Sequence, residues 1–213
     1  MKYSKIVGLA VLAAVAMTAF VGSGTAAGNA ICKTNTTPCP EESMYKPNDV
    51  IEATAVNTVI TALPEVTCTD AFTKVKVTKT GSATENVTGE VTAFSFSGCK
   101  VDVLFTPSCT VSSENLPYHA EVLGSGAGAS LTLSKGPSGK EPSAMVTCAG
   151  IIACTFSSPD FNLALVGGNP GTVLANEEEL KIAEGGFGCP EEGLFDADYK
   201  AIGANTSTFV VSE

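Results

Sequence analysis

The sequence predicts an all-β domain, an antiparallel β-sandwich or a barrel-like sheet, stapled by disulfides. Three observations predict it. From residue 50 onward, apolar and polar residues alternate over short stretches, the period of strands with one buried face. Clusters of Gly, Pro, Ser and Asn separate these stretches, and no long helical pattern intervenes. Eight cysteines, an even number, stand in a chain that opens with an export signal.

Residues 1–27 read as a secretory signal peptide. Lys2 and Lys5 form a short positive start, and residues 6–21 form an apolar run. Small residues follow, with Thr25 and Ala27 suited to the −3 and −1 positions of a cleavage site. The run falls short of the roughly 20 residues that a stable helical span needs, so cleavage is expected rather than anchoring. Cys32 follows Ile31 rather than a small residue, which disfavours a lipid anchor. The expectation is a secreted, extracellular protein with no membrane span after cleavage.

Residues 28–49 are expected to be a loose N-terminal segment, rich in Thr, Asn, Pro and Lys, held by a Cys32–Cys39 clip. Residues 50–213 are expected to form a single β domain. Residues 50–61 are rich in β-branched types. Val75 and Val77 then share a face against Lys74, Lys76 and Thr78, and Phe94 and Phe96 share one within 90–97. Val101, Val103 and Phe105 alternate within 100–105, and Leu131 and Leu133 alternate with Ser130 and Thr132. Phe161, Leu163 and Leu165 follow, then Phe195 and Tyr199 against Asp196 and Asp198, and last the run 209–211. Residues 176–181 fit a short helix capped by Asn176 or, equally, a strand.

Cys32, Cys39, Cys68, Cys99, Cys109, Cys148, Cys154 and Cys189 are expected to form four structural disulfides. Zinc knuckles need pairs two to four residues apart, and the closest pair here, Cys148 and Cys154, is wider. Two pairings are open. One joins Cys32–Cys39, Cys99–Cys109, Cys148–Cys154 and Cys68–Cys189. The other keeps the first two and joins Cys68–Cys148 and Cys154–Cys189.

The net charge is −10, and every one of the 12 cations is Lys. Without Arg or a basic run, nucleic acid is not an expected partner. His119, the one histidine, sits in an expected strand with no G-x-S-x-G elbow in the chain. Asp196 and Asp198 could pair as glycosidase carboxylates, with Glu177, Glu178, Glu179, Glu191 and Glu192 nearby in sequence. The same alternation reads as a solvated face. Asp160 with Asn162, or Asp196 with Asp198, could supply calcium oxygens, though no EF-hand loop is present. The glycine clusters at 124–128 and 136–140 read as hairpin turns and lack a phosphate-loop pattern. Asn35, Asn86 and Asn205 fit the N-glycosylation acceptor pattern.

The segments Phe96-Ser97-Gly98-Cys99, Leu116-Pro117-Tyr118-His119-Ala120-Glu121, Cys154-Thr155-Phe156, Gly168-Asn169-Pro170, Gly188-Cys189-Pro190 and Asp196-Ala197-Asp198-Tyr199 resemble secreted, disulfide-containing, β-rich proteins of actinobacteria that have no assigned function. The resemblance spans residues 64–211 and rests on Cys, Pro and aromatic positions. It implies fold and export, and it carries over no active-site residue.

The sequence therefore points to an exported, non-enzymatic extracellular or envelope-associated binding or structural module. No cofactor is expected, and the partner is an extracellular or envelope ligand. The alternatives are a secreted hydrolase whose site assembles only in three dimensions and a calcium-stabilised surface module.

Overall fold

The computed structural model describes residues 30–34, 39–61, 65–82, 85–101, 108–124, 129–149, 152–167, 170–186, 188–203 and 210–212, the backbone alone for 201–203 and 210–212. The expected signal peptide, Asn35, Asn205, residues 125–128 and the end of the 100–105 run lie outside the described residues.

The strands are β1 (Ala30–Cys32), β2 (Val50–Thr61), β3 (Val66–Lys79), β4 (Val87–Ser97), β5 (Lys100–Val101), β6 (Cys109–Glu114) and β7 (Tyr118–Leu123). They continue as β8 (Ser130–Ser134), β9 (Ser143–Cys148), β10 (Ile152–Ser157), β11 (Phe161–Val166), β12 (Gly171–Gly185), β13 (Glu192–Gly203) and β14 (Val210–Ser212). One 3-10 turn, Glu41–Ser43, is the only helical element among the described residues.

The main sheet closes on itself. β13 pairs with β2 and β3 with β4, so eight antiparallel strands ring one interior. Of the two architectures the sequence allows, the chain adopts the barrel. Five of the ring's strands are continuous: β2, β3, β4, β12 and β13. The other three are each broken at mid-height, β6 running on into β7, β8 into β9 and β10 into β11. The flanking strands reveal this. On β4, residues 87–91 pair with β7 while Ser95 pairs with Ser112 of β6. On β12, residues 172–174 pair with β11 while residues around 181–185 pair with β10. Each long strand thus lies beside its neighbours in sequence, and the barrel is an up-and-down meander.

Alternation decides which face is inside. Ile51, Ala53 and Ala55 of β2, Tyr118, Ala120 and Val122 of β7, and Phe195, Ala197 and Tyr199 of β13 are buried. The residues between them are polar, such as Glu52, which meets Lys74 across the strands at 2.9 Å. Such exposed pairs contribute about 0–1 kcal/mol. The apolar side is the interior and the polar side the exterior, the inverse of a membrane-spanning barrel with a wet lumen.

Residues 176–181 belong to strand β12, not to a helix. A bulge lies between Ala175 and Glu178, where Glu177 has φ +50°. It shifts the inward positions from Val173 and Ala175 to Leu180. Three acids in sequence, Glu177, Glu178 and Glu179, after a possible Asn176 cap gave the helical look; pairing on both edges of the strand decides otherwise.

The break at mid-height is sewn by side chains. The single Tyr118 O–H is shared between the carbonyls of Glu114, 2.6 Å from Oη, and Ser143, 2.9 Å from it. Asn115 Nδ2 donates to Ser143 Oγ at 2.8 Å and to the Glu141 carbonyl at 3.2 Å. Gly136 packs on the Pro117 carbonyl, where a Cβ has no space.

The disulfides are Cys32–Cys39, Cys68–Cys99, Cys109–Cys148 and Cys154–Cys189. The first was common to both expected pairings, and Cys154–Cys189 belonged to the second. Cys99–Cys109, Cys148–Cys154, Cys68–Cys148 and Cys68–Cys189 do not form. Nearness in sequence misled because strand register brings together residues on adjacent long strands. Cys109 is the direct cross-strand partner of Cys148, whereas Cys148 faces Ile152 across the β9–β10 hairpin. Extending the β3–β4 register by two from the Asp70–Ser97 pair places Cys68 opposite Cys99.

Three bridges therefore lie at one end of the barrel, and the fourth lies at the other. There β1 pairs with β14, and Ile31 joins the main core. Tyr45 is buried, and its amide donates to the Ile31 carbonyl at 3.0 Å. Asn48 and Val77 tie this segment to the end of β3 through Asn48 N–Val77 O at 2.8 Å and Val77 N–Asp49 O at 2.9 Å.

Candidate functional site

The barrel interior holds a cavity of about 110 Å³. Its wall is apolar almost throughout and carries seven aromatic residues, of which Phe94, Phe96, Phe161, Phe195 and Tyr199 form one contacting cluster. Phe94 and Phe96 lie 4.9 Å apart between centroids, and both meet Phe195 edge-on, at 6.4 Å and 6.2 Å. Phe161 meets Phe195 at 5.9 Å, and Phe94 stands 6.1 Å from Tyr199. These are the offset and edge-to-face separations that aromatic rings prefer.

A bulge aims two of these rings. Lower in β4, Val87, Gly89 and Val91 face the lumen. The β3–β4 register shifts between Lys74 and Val75, leaving Thr92 as the extra residue. Beyond it, Phe94 and Phe96 take the inward positions that an unbroken alternation would deny them. β2 makes the same change of parity around Asn57, which has φ +56°.

Among the described residues that line the cavity, none is charged. The polar ones are mostly engaged. Thr73 Oγ1 donates to the Ala93 carbonyl at 3.2 Å, and the hydroxyls of Thr88 and Thr78 pair at 2.9 Å. Ser143 and Tyr118 belong to the mid-height seam. Tyr199 differs: it is 3% exposed, and its hydroxyl has no hydrogen-bond partner among the described residues. Burial pushes its phenol pKa well above the usual value of 10, so it is a neutral donor. An unpaired buried hydroxyl costs about 1–3 kcal/mol.

Chemical groups singled out in the sequence lie elsewhere. His119 points to the outer wall, where strand register sets it between Glu90 and Ser134. This row has the residue types of a hydrolase triad, but no hydrogen bond joins its members, and it lies outside the lumen. Asp196 and Asp198 face outward opposite Phe195, Ala197 and Tyr199. Asp196 Oδ1 accepts from the Glu177 amide at 2.8 Å, at the β12 bulge. Asn162 Oδ1 accepts from Thr132 Oγ1 at 2.9 Å, and its amide donates to Glu178 at 3.2 Å. Burial raises the Glu178 pKa. The carbonyl of Asp160 accepts from Ser158 Oγ at 3.2 Å. Glu177, Glu179, Glu191 and Glu192 are exposed. Among the described residues, no group of three or more His, Cys, Asp and Glu could hold a metal ion.

The 136–140 cluster forms a turn closed by Gly139 N–Gly136 O at 2.9 Å. Asn86 Nδ2 donates to Glu121 Oε1 at 2.8 Å. No helix among the described residues is long and apolar enough to cross a membrane.

No protein-family model, curated protein or solved structure matches the chain. The interior of the barrel therefore stands as the candidate site on its own geometry. Sequence reasoning identified Phe94, Phe96, Phe161, Phe195 and Tyr199 as inward strand residues. It did not identify them as one cluster, because they come from three strands far apart in the chain.

Proposed function

We propose that this is an exported, non-enzymatic carrier that holds a small apolar molecule inside its barrel. The observation that carries the reading is the apolar cavity with its cluster of five contacting aromatic rings. Binding sites for small molecules are concave and mostly apolar, with few polar groups, and the mouths and lumens of β-barrels are among their usual places. Four disulfides fit an oxidising compartment. The acidic charge and polar outer wall suit a protein that keeps its cargo from water. The signal-like start and the resemblance to secreted actinobacterial proteins support export.

The test is titration of the purified mature protein with N-phenyl-1-naphthylamine, a neutral apolar fluorophore. Saturable binding at one site with a blue-shifted emission is expected. Ala120 lines the cavity between Gly89 and Leu133. Ala120→Phe should weaken binding at least about tenfold by filling that space, while far-UV circular dichroism stays that of the parent. Absence of saturable binding, or a folded Ala120→Phe with parental affinity, would overturn the proposal.

A further inference from the structure

On the carrier reading, two features of the lining narrow the chemistry of the occupant. The first is charge. No described lining residue is ionisable to a cation or carboxylate, and the sequence contains no Arg. A carboxylate moved into this lumen would lose its water and meet no counter-charge, a cost that its apolar tail cannot offset. The bidentate Arg clamp that recognises carboxylates is not available.

The second is Tyr199. It lines the cavity, its side chain is buried, and its hydroxyl is unpaired among the described residues. Native proteins rarely leave a buried hydroxyl in this state, and Phe would fill the same ring space without it. Thr58 also has an unpaired buried hydroxyl, but it does not line the cavity. The Tyr199 oxygen is closed to water, so a partner reaches it only by displacing side chains packed against Tyr199, of which the Phe94 ring lies 6.1 Å away. Phe94 is half-buried, less tightly enclosed than Tyr199 itself.

We propose that the lumen selects an uncharged apolar molecule bearing one hydrogen-bonding oxygen, such as an alcohol, ketone or ester, and that Tyr199 pairs with that oxygen. Fatty-acid anions and alkylammonium ions are excluded by the same lining.

Competition against N-phenyl-1-naphthylamine at pH 8 tests this with 1-decanol, 2-decanone, decane, decanoate and decylamine. Decanol and decanone should displace the probe at about tenfold lower concentration than decane. They should do so at about a hundredfold lower concentration than either ion. Tyr199→Phe should erase the advantage over decane and leave probe and decane affinity unchanged, with a melting temperature equal to the parent's or higher. Decanoate or decylamine competing as well as decanol would overturn the proposal. So would a Tyr199→Phe protein that keeps the preference for decanol. Should the parent protein fail to bind the probe at all, the carrier reading itself falls. Probe binding with no preference among competitors removes only the inference about charge and Tyr199.

Discussion

Cys109 and Cys148 are direct cross-strand partners on β6 and β9, and a disulfide joins them. The bridge lies at the barrel end that also carries Cys68–Cys99 and Cys154–Cys189. It spans 39 residues, against 7 for Cys32–Cys39. Restraint of the unfolded chain grows with loop length. Replacing Cys109 and Cys148 with Ser should cost about 2–4 kcal/mol, a fall in melting temperature of roughly 4–16 °C. The Cys32→Ser, Cys39→Ser protein should lose less. Calorimetry of the two proteins checks the order, and a larger loss at the short loop would contradict it.

Tyr118 closes the mid-height seam, and its hydroxyl serves two backbone carbonyls. Tyr118→Phe leaves both without that donor and should destabilise by about 1–3 kcal/mol. Burial, partly offset by the hydrogen bond to Ser143, pushes the phenol from 10 up to about 12. The folded pKa is raised, so this group's stabilisation is complete below pH 10. It fades as pH climbs from about 10 to 12. Urea titrations across that window should show a steep alkaline loss in the parent and a shallower one in Tyr118→Phe.

Asp49 holds the segment beneath the barrel. Its Oδ2 lies 2.6 Å from Lys33 Nζ and accepts from the Lys46 amide at 2.8 Å. The hydrogen bond with Lys33, then that with Lys46, lowers its pKa below the ordinary 3.8. A lowered folded pKa gives stability that is present above 3.8 and lost as pH falls through the folded value. Asp49→Asn at neutral pH should therefore mimic acid. Amide exchange at Lys33 and Tyr45, which donate to Ser43 and Ile31, should quicken, while Leu165 in the wall stays protected. Equal exchange in variant and parent would show that Asp49 does not hold the segment.

Gly136 and Gly186 offer a matched pair. A Cβ at Gly136 would collide with the Pro117 carbonyl, a backbone group that cannot turn aside, whereas a Cβ at Gly186 meets nothing within 4 Å. Gly136→Ala should cost about 1–3 kcal/mol. Gly186→Ala should stay within about 0.5 kcal/mol of the parent. Chemical denaturation midpoints separate them, and a neutral Gly136→Ala would mean that the 135–142 turn is free to shift.

Much of the fold was legible in the residues. The alternations at 74–79, 90–97, 161–165 and 195–199 mark strands, and Phe94, Phe96, Phe161 and Phe195 do face inward. The lumen was not legible as a site, because a side chain that lines a cavity alternates in the same way as one that fills a core. The residues with recognisable chemistry, His119, Asp196 and Asp198, drew attention for their type. The barrel turns them outward by the same alternation that turns the phenylalanines in.

By itself, the sequence determined an all-β chain with an apolar face on each strand and eight cysteines available to pair, since period and composition are local properties. Tertiary structure alone decided that the sheet closes, which cysteines meet, and that Phe94, Phe96 and Phe161 converge on Phe195, with Tyr199 beside Phe94. Closure and register depend on bulges at Asn57, Thr92 and Glu177 and on pairings between strands far apart in the chain. A one-residue shift in either reverses every face beyond it.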